Sequence, residues 1–258
     1  MSESIEVTVE GRRGTLVLDR PAKLNPLSPA ALREIAEAAR RFDSDHPEVR
    51  VVVVCGRGAV FSAGADVSAF SASEPVSRED ADAVRLMAEA LEAMSAITIA
   101  KIQGWCVGGG LVLAAACDLR VATDTARFSI PEVELGIPLA WGGIPRLVRE
   151  IGPALTKELV MTCREFSPDE AASAGFLNRV VAEENLDATV EELVATLSRM
   201  PKMALLATKA HTNAVSETMV STGRSWSDAD GLIGALHDPE CRDAAAAYLE
   251  RVLARRRS

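Results

Sequence analysis

Thr98-Ile-Ala-Lys-Ile-Gln103, followed at once by Gly104-Trp-Cys-Val-Gly108-Gly-Gly110 and then Leu111-Val-Leu-Ala-Ala-Ala116, is the stretch on which the fold turns. The first segment is short and rich in β-branched and apolar residues, and it stops at a glycine, which predicts a strand. Gly109 to Ala116 is a longer run of small and apolar residues that predicts a helix opening on glycines. The same alternation recurs on both sides. Val49-Arg-Val-Val-Val-Val-Cys55 is too short for a helix and predicts a buried strand, Glu79 to Ala96 predicts a helix, and Asp118 to Ala122 predicts another strand. Strands alternating with helices imply an α/β architecture.

Toward the N-terminus, Ile5 to Val9 and Thr15 to Leu18 flank Gly11-Arg-Arg-Gly14 and predict a hairpin. Pro29 to Phe42, entered through Ser28, predicts a capped amphipathic helix. Beyond residue 150 helices dominate: Pro153 to Cys163, Pro168 to Ala174, Glu183 to Arg199, Ala204 to Ser216 and Cys241 to Ala254, interrupted by a strand at Asn178 to Ala182. An α/β core over residues 1–200 followed by a helical C-terminal region over 201–258 is the expected organisation. No low-complexity stretch marks a seam, so one main domain is the simpler reading.

The 258 residues, 48% apolar and 25% charged, suffice for a sizeable core. A formal charge of -9 argues against a nucleic-acid groove, which needs clustered Lys and Arg. The concentrated positive run, Arg251 to Arg257, is either a solvated tail or a contact for a phosphorylated ligand. Cys55, Cys106, Cys117, Cys163 and Cys241 form no CxxC pair and sit mostly among apolar neighbours, which points to reduced thiols and not to a zinc or disulfide framework. The N-terminus lacks a signal-peptide profile, and the apolar stretch from Val107 to Ala116 is far shorter than the ~20 residues of a membrane span. A cytoplasmic location without membrane attachment is the default expectation, and no metal ligand set is visible.

Standard nucleotide, zinc-protease and hydrolase signatures are missing. His46, His211 and His237 lie in polar or Pro-flanked surroundings with no partner in the pattern, and they read as surface residues. Two glycine-bearing strand exits remain: Phe61-Ser-Ala-Gly-Ala-Asp66 and Gly104 to Gly110. Small residues let a ligand approach main-chain amides, and the second exit also opens a helix. Two such amides converging on one oxygen would make an oxyanion hole. The plainer alternative is that the glycines only permit tight packing.

FSAGAD at 61–66, IQGWCVGGG at 102–110, ACDLRVA at 116–122, FSIPEVELGIP at 128–138 and GGIPRL at 142–147 resemble, in order and spacing, the segments of the enoyl-CoA hydratase/isomerase (crotonase) superfamily. Arg20-Pro-Ala-Lys-Leu-Asn25 and Ala171 to Val180 are similar to that family too, so the resemblance covers nearly the whole chain. It implies a superhelix of ββα repeats with C-terminal helices that build trimers or hexamers, making 201–258 a trimerisation region. It also implies a CoA thioester as substrate, with coenzyme A as part of that substrate and no separate cofactor. The peptide N–H groups of Ala65 and Gly109 would hold the thioester oxygen. Ala63, Gly64, Asp66 and the adjoining Val67 would shape the adenine and pantetheine side of the pocket, and Lys23 and Leu24 would lie against the nucleotide. Gly108 and Pro131 would be among the substrate-binding residues, and Trp141 would border the acyl pocket.

One departure bears on the reaction. Hydratases of the family carry two glutamates, and here the first position is Val112 while the second is Glu132. A valine can neither take nor give a proton, so two-carboxylate hydration is put in doubt. A single acid/base at Glu132 suffices to remove a C2 proton and return it at C4, moving a 3-enoyl double bond to position 2. The acid that dienoyl-CoA isomerases carry eight residues beyond Glu132 would fall on Ala140, which argues against that branch. Glu132 as an ordinary surface carboxylate is the plain alternative, and Glu134 is expected to point elsewhere if the segment is extended. Isomerisation is therefore expected on mechanism. Enoyl-CoA hydration in fatty-acid oxidation, with a substitute acid such as Glu89 or Glu92, is one alternative, and a non-catalytic acyl-CoA-binding protein is another.

Overall fold

The structure, a computed structural model, describes residues 4–66 and 76–255. Its backbone repeats one motif. A strand enters a large sheet, an extended segment turns into a second layer, and a helix returns across the outside. Strand β2 (Arg13–Leu18) leads through Leu27 to helix α1 (Pro29–Asp45), and β3 (Val51–Gly56) leads through residues 61–66 to α2 (Arg78–Ala93). Strand β4 (Ile97–Ile102) leads through β5 (Trp105–Val107) to α3 (Gly109–Ala115), and β6 (Leu119–Thr123) leads through β7 (Arg127–Ser129) to α4 (Gly143–Thr162). The first layer is a six-stranded sheet that also holds β1 (Ile5–Glu10) and β8 (Arg179–Val181), in the order β1-β2-β3-β4-β6-β8. Only β1 with β2 is antiparallel, and every other pair is parallel as crossovers through helices require. In the second layer β5 pairs with β7, and single bridges Leu27↔Ala65, Ser62↔Cys106 and Phe128↔Phe166 continue the pairing sideways.

The unbroken apolar run of β3 follows from burial on both faces. Val52 and Val54 face the main core with Leu32, Ile35 and Phe42 of α1, while Val51 and Val53 join Ile99 and Val121 on the other face under Leu186, Val190 and Val194 of α6 (Leu186–Arg199). Serine caps start three helices. Ser28, Ser77 and Ser167 accept from the backbone N–H of Ala31, Asp80 and Glu170, the last in α5 (Pro168–Ser173).

Residues 202–255 form α7 (Lys202–Met219), α8 (Asp228–His237) and α9 (Pro239–Arg255). Buried Lys209 anchors α7 by donating to the Ala96 carbonyl at 2.9 Å and to Asp118 Oδ2 at 2.8 Å; the same Asp118 oxygen accepts from Thr98. Helix α8 packs along α2. Among the described residues no helix is long and apolar enough to cross a membrane.

Several expectations shift. Trp105–Val107 form β5, so the stretch is not only a glycine exit; β7 and α8 were not foreseen. A three-residue strand carries no periodicity to read, and Gly231 and Gly234 dilute the helical pattern of α8. The helix expected from Pro153 begins at Gly143 and runs across a break at Gly152, whose φ of 75° lets Pro153 restart it.

Candidate active site

The two glycine exits lie side by side in the second layer. Ser62 donates from its N–H to the Trp105 carbonyl and accepts from the Val107 N–H, so residues 62–65 run beside 105–109. Gly64 has a φ of 87°, and a Cβ there would stand 2.7 Å from the Val107 carbonyl oxygen and 3.5 Å from the Gly109 nitrogen. Only glycine permits both that turn and that approach. Leu27 bonds to the Gly64 carbonyl and the Asp66 N–H, which turns the polar groups of Ala65 between them away from Leu27. The N–H of Ala65 therefore points to the side occupied by 107–109. Gly109 is the first residue of α3, so its N–H has no partner within the helix. Neither N–H has an acceptor among the described residues. Two free amide donors on adjoining segments are thus brought together.

Asn25, which sequence reasoning noted only as part of a similar string, holds the outer exit in place. Its φ is 52°, its side-chain Oδ1 accepts from Arg20, and its Nδ2 donates to the carbonyls of Arg57, Val60 and Phe61. Ser62 Oγ donates to the Asn25 carbonyl at 2.8 Å and accepts from the Gly64 N–H at 3.1 Å. A buried asparagine with left-handed backbone is a recognisable signal, because a bonded side chain must offset that conformation.

Glu132 lies against α3. The register Val107↔Ser129 and the bond from the Gly108 N–H to the Ser129 carbonyl lay the end of β7 beside Gly108. The chain then turns through Pro131–Gly136, with Leu135 donating to Pro131 and Ile137 to Glu132. Gly108 has a φ of 48°, and a Cβ on it would run into Glu132 Oε1, with Cδ at 3.1 Å and Oε2 at 3.3 Å. The carboxyl is 3% exposed, and Oε2 is buried without a hydrogen-bond partner. Burial pushes its pKa from 4.5 up to about 7, against a smaller lowering by its own backbone amide. No other described carboxylate is as fully buried.

The surface-carboxylate reading of Glu132 is thereby excluded. Glu134 does point elsewhere, but because the segment is a turn and not an extended strand: it is exposed and faces Arg251 at 3.4 Å. The phenol of Tyr248 on α9, with Arg251 over its ring, is pushed up first by burial and then by the charges of Glu134 and Glu132.

Val112, one turn into α3, is completely buried, and a Cβ at Gly143 would lie 3.0 Å from its Cγ2. The side chain packs toward the start of α4 as an ordinary core residue. Neither suggested substitute acid is free. Glu92 binds Arg146 through both carboxylate oxygens, at 3.0 and 2.5 Å, and also pairs with Arg149; Glu89 pairs with Arg85.

Trp141 is buried with a φ of 71°, and its ring lies on Gly109, 2.7 Å from where a Cβ would stand. Pro131 is buried beside Glu132. Ala63 donates to the Leu24 carbonyl, and Asp66 lies 3.8 Å from Arg20, so the 20–25 loop adjoins the first exit. Lys23 ends an exposed 3₁₀ turn, and Leu24, at φ 65°, is exposed beside it. Val67, Arg256 and Arg257 lie outside the described residues. Cys55, Cys106 and Cys117 are buried and Cys163 and Cys241 half-buried, all as free thiols. His46, His211 and His237 are not at the site: His46 faces Glu48, His211 is exposed, and His237 bonds its own helix. Among the described residues no cluster of side chains suits a metal ion.

The enoyl-CoA hydratase/isomerase family model matches residues 14–255. A protein of Mycobacterium leprae named "Probable enoyl-CoA hydratase echA8" is 35% identical, with 84% of each chain covered. The crotonyl-CoA hydratase of Syntrophomonas wolfei is 33% identical, with 96% of each chain covered. Among solved structures, an enoyl-CoA hydratase from Mycobacterium avium subsp. paratuberculosis superposes with a TM-score of 0.87 at 24% identity, covering 96% of each chain. The chain belongs to the enoyl-CoA hydratase/isomerase family, the crotonase superfamily. It has the crotonase fold and is an acyl-CoA enzyme of that family.

Proposed function

We propose that the N–H groups of Ala65 and Gly109 bind the carbonyl oxygen of a CoA thioester, and that Glu132 is the single acid/base. Glu132 removes a proton from C2, the charge passes to the thioester oxygen, and the two amides stabilise it. The protonated Glu132 then returns the proton at C4, converting a 3-enoyl into a 2-enoyl thioester. The supporting observation is the Glu132 carboxyl seated on Gly108, next to the free Gly109 amide, with Oε2 unpartnered and Val112 packed where a second acid would stand. A pKa raised by burial to about 7 suits a group that must both take and give a proton near neutrality.

In the same reading Gly64, Asp66, Ala63, Val67, Lys23 and Leu24 border the coenzyme, and Gly108, Pro131 and Trp141 border the reacting end. No metal or separate cofactor enters the scheme. Residues 201–258 join subunits into trimers or hexamers. Val215 and Met219 of α7, four residues apart on one side of the helix and both exposed, favour a covered face there. The names of the relatives, a crotonyl-CoA hydratase and a carnitinyl-CoA dehydratase among them, favour hydration as the second reading.

Assays of the wild type and Glu132→Ala with 2-enoyl and 3-enoyl thioesters decide between the readings. Isomerisation predicts turnover of the 3-enoyl substrate that the substitution abolishes. Rapid hydration of the 2-enoyl thioester with the 3-enoyl untouched would refute it.

A further inference from the structure

Trp141 and Gly142 are consecutive residues with left-handed backbone, at φ 71° and 66°. A glycine takes that conformation freely, but a tryptophan holds it only where its surroundings force it. The forcing contacts converge on Gly142. Its N–H, part of the peptide plane shared with Trp141, donates to Asp228 Oδ2 at 2.8 Å. Its carbonyl accepts from Arg146 Nη1 at 3.0 Å, and Arg146 is itself 1% exposed and gripped by both oxygens of Glu92. Gly143 closes the turn by donating to Ala140 at 3.0 Å. A Cβ at Gly142 would strike the Arg146 guanidinium, so the fit leaves no room for another residue. This clamp ends on the Trp141 ring, which covers Gly109.

We propose that Asp228 and Arg146 are positioning residues that hold the Trp141 ring against the Cα side of Gly109, leaving its N–H open, so that the first residue of α8 in the C-terminal region sets one wall of the site in the core. Neither residue touches the reacting atoms. Their effect passes through one peptide plane and one indole ring. The kinetic consequence rests on the thioester reading above, whereas the placement of Trp141 in the unliganded protein does not.

The test uses the full-length chain labelled with fluorotryptophan, its Trp141 resonance assigned by its loss in Trp141→Phe. Asp228→Ala removes the acceptor, and the Trp141 resonance should move or broaden while that of Trp105 stays. Turnover should fall about tenfold or more in kcat with KM within about twofold, because misplacing a wall by about an ångström acts on orientation more than on binding. Asp228→Asn keeps a side-chain oxygen and should restore both readouts. An unmoved Trp141 resonance in Asp228→Ala overturns the proposal, as does an Asp228→Asn protein equally impaired in both. Should Asp228→Ala not fold, Arg146→Lys takes its place, since one ammonium cannot keep both Glu92 oxygens and the Gly142 carbonyl. An unmoved resonance there is equally fatal. Failure of the wild type to bind any CoA thioester in calorimetry would remove the thioester reading and leave the resonance test standing.

Discussion

Replacing Glu132 by Gln separates what the site costs from what it does. In the folded chain burial raises this carboxyl from 4.5 to about 7, so between those values the native state binds a proton that the unfolded chain has released. Stability contributed by Glu132 is therefore fully present below the unfolded value and is lost as pH rises toward about 7. The rise from 4.5 to about 7 corresponds to about 3 kcal/mol of native-state penalty once both states are ionised. Glutamine has the same shape and no charge. Its buried amide meets no partner where Oε2 has none, so an offset of about 1 kcal/mol is expected at every pH. Glu132→Gln should thus be more stable than wild type by about 2 kcal/mol near pH 8 and lose most of that advantage by about pH 5. Urea denaturation of both proteins at one fixed concentration and several pH values measures the difference. Turnover of a 3-enoyl thioester should meanwhile fall by about 10²–10⁴, the usual worth of a general acid/base. A variant less stable than wild type near pH 8, or a stability difference that does not change with pH, would refute the burial argument.

Other substitutions probe neighbouring links. Gly108→Ala places a methyl group against Glu132 at a φ of 48°; it should cost about 1–3 kcal/mol in thermal or urea unfolding and lower kcat more than tenfold. Val112→Glu supplies the missing second carboxylate at a completely buried position, and should raise hydration of a 2-enoyl thioester above the wild-type level while lowering the unfolding midpoint. In the wild type, kcat/KM for a 3-enoyl thioester should rise with pH through about 7 as Glu132 deprotonates. Lys209→Met leaves the half-buried Asp118 against Thr98 without its cation, and should destabilise the chain by about 2–3 kcal/mol in urea unfolding.

The α/β alternation was readable because β3, β4 and α3 are each long enough to carry a pattern, and β3 is buried on both faces. The second layer was not readable, since β5 and β7 have three residues each and Leu27, Ala65 and Ser62 join by single bridges. The glycines at 64, 108 and 109 pointed to close approach, but what approaches each is tertiary: the Val107 carbonyl, the Glu132 carboxyl and the Trp141 ring. Glu132 could be singled out by resemblance, whereas its burial depends on a turn at 131–136 that an extended reading missed. The clamp on Gly142 was out of reach for the same reason, because Glu92, Arg146 and Asp228 come from three helices far apart in sequence.

Proton exchange at C2 of a saturated acyl-CoA thioester in heavy water isolates the central step, because it needs only enolate formation and no double bond to move or hydrate. Followed by proton NMR, wild-type protein should replace the C2 hydrogens with deuterium, and Glu132→Gln should leave them in place. Absence of exchange with the wild type, or equal exchange with the variant, would contradict an enolate held by the Ala65 and Gly109 amides and made by Glu132.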